Sequence, residues 1–184
     1  MKKIVHSIYL VISSLVILLL FSSSATAVNV SELNTSSKVA LTNLLKENAE
    51  ARKLNTSAIA VLVFPAITKA GFIVGGQYGE GVLWKKEKPT AYYNTAGGSF
   101  GLQAGAQQYG YVLFFMKEGA LDALNSTQGF EIGTGPSIVV VDQGFATSMT
   151  SINTQADIYA FIFSQKGLMA GVGIQGNKIT KLDQ

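Results

Sequence analysis

Gly71-Phe-Ile-Val-Gly75-Gly-Gln77, followed by Val82-Leu83-Trp84, returns thirty residues later as Gly101-Leu-Gln-Ala-Gly105-Ala-Gln107, followed by Val112-Leu113-Phe114. A third, partial copy runs through Gly167-Leu168-Met-Ala170-Gly171 to Gly176 and echoes Gly101 to Gly110. Glycine inside a strand marks a bulge, a sharp bend or a close backbone approach, and a curved sheet needs such points. The copies read as related structural units of one bent sheet, not as nucleotide loops.

The rest of the chain agrees with strands. Ala58 to Phe64 is a continuous apolar run that Pro65 is expected to stop. Short β-rich runs follow at Gly71–Trp84, Thr90–Ala96, Tyr109–Met116, Ser137–Val141, Asp157–Phe163 and Leu168–Ile174. Lys88-Pro89, Gly97-Gly98 and Gly135-Pro136 read as the turns between them, and Glu118–Asn125 alone looks helical there. Ahead of the strands, Lys38–Leu54 predicts a helix. At 100° per residue Ala40, Leu41, Leu44, Leu45, Ala49 and Ala51 share one half of its wheel, with Arg52 on the same side. The expected fold class is α+β: an N-terminal helix packed on a strongly curved, mostly antiparallel, Gly-rich sheet or partial barrel.

The N-terminus reads as a signal peptide over residues 1–27. Met1-Lys2-Lys3 is basic, Val11 to Phe21 is apolar, and Ala25-Thr26-Ala27 has the small-x-small form of a cleavage site. Residues 28–37 read as a polar linker and residues 38–184 as one domain. Cleavage would leave 157 residues and, with Lys2 and Lys3 gone, lower the formal charge from +3 to +1. A nucleic-acid partner is therefore not indicated. The expected location is periplasmic or secreted, peripheral to a membrane.

Composition closes much enzymology. The chain has no Cys, and its one His, His6, falls in the signal segment. The commonest metal ligands and general base are thereby missing from the mature domain, and neither an enzyme, a metal site nor a cofactor is expected. Gly171-Val-Gly173-Ile-Gln-Gly176 spells a dinucleotide-binding motif, but too little chain follows for the helix, strand and acidic residue that motif requires. Glu80, Glu131, Asp142 and Asp157 could supply a carboxylate pair, yet no spacing singles one out.

Phe64-Pro65, Lys69-Ala70-Gly71-Phe72, Gly75-Gly76, Gly79-x-Gly81 and Gly97-Gly98-Ser99-x-Gly101-x-Gln103-x-Gly105-x-Gln107 resemble the SYLF-domain family. Phe161-x-Phe163 through Lys166-Gly167-Leu168-x-Ala170-Gly171-Val172 continues the likeness, which spans roughly Leu41 to Leu182. The resemblance implies a lipid-binding module. Eukaryotic relatives bind phosphoinositides, in part through a basic amphipathic helix, and some fungal relatives bind actin. Here Ala91-Tyr92-Tyr93-Asn94 replaces a tryptophan-centred stretch of those relatives, and the helix is only mildly basic. With its signal segment the chain resembles the bacterial envelope members.

The sequence points to Trp84-Lys85-Lys86-Glu87-Lys88-Pro89 as the best headgroup contact, because three lysines follow an aromatic at a strand end. The same run also reads as a solvated hairpin tip whose charges discourage edge pairing. Arg52 and Lys53 are the next candidates. The expected function is non-enzymatic association with phospholipid, its partner an anionic membrane surface. The alternative is an exported protein-interaction module that binds actin or a host partner.

Overall fold

The computed structural model describes residues 29–126, 130–131, 136–142 and 156–183. The proposed signal segment and its cleavage site lie outside them. In chain order the elements are α1 (Val30–Glu47), α2 (Ala49–Ser57), β1 (Ala60–Lys85), β2 (Lys88–Phe115), α3 (Glu118–Leu124), β3 (Phe130–Glu131), β4 (Ile138–Asp142) and β5 (Ile158–Lys181). The fold is α+β, with N-terminal helices packed on a strongly curled half-barrel sheet.

The helical region begins earlier than expected and is broken once. Residues 30–37, expected as linker, form the first two turns of α1, because Asn29 caps it by accepting from the Glu32 amide at 3.3 Å. The single helix expected over Lys38–Leu54 divides at Asn48, whose extended backbone ends α1. Its side chain then accepts from Ala51 N at 2.9 Å to start α2. No helix among the described residues is long and apolar enough to cross a membrane.

Three strands of 24 to 28 residues replace the many short ones expected. The sheet order is β1-β2-β5-β3, antiparallel throughout, with β4 parallel to the first residues of β5. Pro65 does not end its strand. β1 is an edge strand, and Pro65 sits at the register shift between Phe64 and Ile67, where a missing N–H is tolerated. Gly97 and Gly98 are not a turn either; both lie inside β2, paired with Gln77 and Gly76 on one side and Asn177 and Gly176 on the other.

The long strands double back at their middles. A Cβ on Gly81 would stand 2.6 Å from Phe64 Cδ1 and 2.8 Å from Val63 O, and one on Gly79 2.8 Å from Ala66 O. The first half of β1 therefore lies directly against its second half, and glycine is what permits that approach. Both ends of every long strand consequently share a core. Leu62, Phe64 and Ile67 bury with Leu83, Leu113 with Tyr93, and Ile158 with Ile179, with Ala120, Leu121 and Leu124 of α3 closing the cluster. Tyr93 donates to Asn125 Oδ1 at 2.7 Å, and burial holds its phenol up at about 12, so it remains a donor at neutral pH.

The outward face of the same strand ends carries Val61, Val63, Val82, Trp84, Val112 and Phe114, covered by Leu33, Leu44, Ala51 and Leu54 of the helices. Being apolar on both faces explains why those segments read as continuous runs. Toward the bend the enclosed side turns polar, with Lys69, Gln77, Thr95 and Ser99 buried. There Gln77 donates to Asn177 Oδ1 at 2.6 Å and accepts from Tyr109 at 3.1 Å.

Candidate lipid-binding groove

The β1–β2 connection is a two-residue turn at Lys86 and Glu87, with φ of 48° and 65°. Two-residue hairpins favour left-handed positions, and Asn or Gly usually fills them. Here the turn spends that strain on a lysine and a glutamate. Lys85 and Lys88 face each other across the closing ladder pair, like charge against like. Lys86 and Lys88 are exposed and Lys85 is half-buried, and none forms an ion pair among the described residues. Three ammonium groups thus crowd one strand end, with Glu87 between them.

Beneath the turn lies a groove of about 700 Å³ between α1, the α2–β1 junction and the hairpin. Lys38, Lys85 and Lys86 stand at its walls together with Glu87 and Glu118. Leu41, Leu45, Ala58, Ile59 and Val61 supply apolar lining. A groove with three lysines against two carboxylates, set beside aliphatic side chains, can take an amphiphile with an anionic head and an apolar chain.

Trp84 also lines this groove, but its ring belongs to the core. Its side chain is only 9% exposed, and its indole N–H donates to Ser37 Oγ of α1 at 3.0 Å. The expectation of a Trp standing at the surface beside the lysines is corrected on this point. Strand alternation explains it: Trp84 follows Val82 on the outward face, which α1 covers.

Arg52 and Lys53 are placed elsewhere and are occupied. The Arg52 guanidinium donates to the carbonyls of Leu45 at 2.7 Å and Lys46 at 2.9 Å, satisfying the end of α1 where Asn48 breaks it. Lys53 pairs with Glu50 at 2.8 Å on the exposed face of α2. Neither joins the lysines of the turn in the groove.

Of the four carboxylates weighed as a pair, the side chains of Glu131 and Asp142 lie outside the described residues, and Asp157 and Glu80 hold structural contacts. Asp157 accepts from Lys117 Nζ at 2.7 Å and from the amide and hydroxyl of Ser137, each at 2.9 Å. The lysine contact first, then the serine bonds, hold its carboxyl down at about 2. Glu80 accepts from Tyr78 at 2.8 Å. Sequence reasoning missed the contribution of Lys38, Leu41, Leu45 and Ile59 to the groove. The two leucines gave the signal of a core-facing helix stripe, and only the position of the hairpin beside α1 turns that stripe into a wall.

Comparison with curated proteins finds no match. A family model described as Ysc84, Las17-binding protein actin regulator, matches residues 96–184, from the middle of β2 through β5. The glycine and glutamine positions from Gly97 to Gln107 and the run from Phe161 to Val172 lie within that match. Residues 96–184 therefore match the Ysc84, or SYLF-domain, family.

Proposed function

We propose that the protein is a non-enzymatic, lipid-associating domain of the bacterial envelope, exported and held at the membrane periphery. In this reading it takes an anionic phospholipid. The observation that carries it is the groove, with Lys38, Lys85 and Lys86 on its walls and Leu41, Leu45 and Ile59 beside them. A phosphate accepted by the lysines would relieve the like-charge repulsion between Lys85 and Lys88. The aliphatic wall would receive the first part of an acyl chain. Exposed lysines attract anionic lipid at ~1 kcal/mol each near a surface, so the association should weaken as salt screens it.

The description of the matching family, a Las17-binding protein actin regulator, favours a second reading: an exported module that binds a protein such as actin. Sedimentation separates the two. The lipid reading expects the domain to pellet with vesicles rich in phosphatidylglycerol, to release at high salt, and to stay in the supernatant with filamentous actin. Pelleting with actin and not with vesicles would favour the second reading.

A further inference from the structure

Among the described residues, the three long strands carry large exposed apolar side chains where they bend. Phe72 is 74% exposed, Val74 64%, Phe100 68% and Leu168 89%, and Ile73 stands among them at 45%. Backbone pairing brings these positions together: Val74 lies opposite Phe100, and Leu168 opposite Ala106, two residues from the Ala104 that faces Phe72. Isolated exposed apolar residues are ordinary, but a contiguous cluster on neighbouring strands marks an interaction surface. Ile73 holds φ of 63°, a conformation a β-branched residue adopts only under strain, where glycine would be relaxed. The apex thus keeps a large apolar side chain at a backbone cost.

Charge around the bend is one-sided. Residues 65–79, 95–116 and 164–177 contain Lys69 and Lys166 and no Asp or Glu. Carboxylates begin at Glu80, seven residues below Ile73. Lys69 is buried on the enclosed side, so the apolar apex is flanked by the exposed Lys166 and, over these ranges, by no carboxylate, which complements an anionic bilayer: the rings and aliphatic groups enter the interface while Lys166 meets phosphates.

We infer that the bend of the sheet, with Phe72, Ile73, Val74, Phe100 and Leu168 at its apex, is a membrane-docking surface separate from the groove, and that its occupant is an anionic bilayer. The inference rests on the lipid reading above and adds a second contact to it. The groove takes one amphiphile, whereas the apex seats the domain on the membrane.

Two variants test it by co-sedimentation with vesicles of phosphatidylglycerol and phosphatidylcholine. A quadruple Phe72→Ser, Val74→Ser, Phe100→Ser, Leu168→Ser protein should keep its melting behaviour, since exposed substitutions usually perturb stability little. Its affinity for the vesicles should fall roughly tenfold or more. A Leu168→Trp protein, which leaves the apex apolar, should bind like the parent. Its added fluorescence should shift to the blue on vesicles and be quenched by brominated acyl chains. A quadruple variant that sediments as well as the parent, or a Leu168→Trp emission that vesicles do not move, would overturn the inference and leave the groove untouched. If the substitutions instead convert a lipid-free dimer to a monomer without changing vesicle binding, the apex is a contact between copies and the inference is likewise overturned. A parent that sediments with no vesicle overturns the lipid reading itself.

Discussion

Trp84 donates its indole N–H to Ser37 Oγ across 3.0 Å in the buried seam between β1 and α1, and Ser37 donates in turn to Asn34 O at 3.2 Å. This short chain of bonds fastens the hairpin bearing the lysines to the helix that forms the other wall of the groove. Groove width is therefore set by a polar contact inside an apolar cluster.

Removing that contact should be costly. Ser37→Ala leaves the indole N–H buried without its acceptor, at about 1–3 kcal/mol. Urea unfolding followed by far-UV circular dichroism should show the loss. Because Trp84 is already shielded in the free protein, its emission should be blue before any lipid is added, and vesicles docked at the apex should move it little.

Two glycines of the sheet should respond oppositely to a methyl group. At Gly81 the added Cβ would meet Val63 O at 2.8 Å and the Phe64 ring at 2.6 Å, so Gly81→Ala should destabilise by about 1–3 kcal/mol. At Gly98 nothing stands within 4 Å, so Gly98→Ala should be neutral or stabilise by about 0.4–1 kcal/mol through the unfolded chain. Equal melting shifts for the two would contradict the doubled strand.

Acid should loosen the junction of α3, β4 and β5. The Asp157 carboxyl is held at about 2, below its ordinary 3.8, so its contribution to stability is complete above about pH 4. It is lost as the pH falls toward 2, when the Lys117 and Ser137 contacts lose their anionic partner. Asp157→Asn should flatten the stability profile between pH 4 and 2. An unchanged profile would mean that Asp157 does not couple to folding.

Much of this was legible in the sequence. The glycine copies announced a bent sheet, and within the first of them a Cβ on Gly75 would stand 3.0 Å from Ala70 O, the close approach of the bend. Helix α3 was readable from its local pattern. Strand length was not: Pro65, Gly97 and Gly98 look like terminators, yet β1 runs through Pro65 because it is an edge strand, and Gly97 and Gly98 are paired on both sides within β2. The division of the N-terminal helix was hidden because Asn48 resembles an ordinary polar face residue until its side chain is seen capping Ala51. The lysines of the groove were found by charge clustering. Its apolar wall was not, since Leu41 and Leu45 acquire that role only through the hairpin that folds beside them.

The groove should take an anionic phospholipid with its head on the lysines of its walls. Calorimetric titration with a short-chain phosphatidylglycerol kept below its micelle concentration isolates the groove from any bilayer. Saturable binding of one lipid per chain is expected. Replacing Lys38, Lys85 and Lys86, the lysines that line the groove, together with Gln should weaken it tenfold or more, at least about 1.4 kcal/mol, with the melting temperature retained. No saturable binding by the parent, or equal binding by the triple variant, would contradict it.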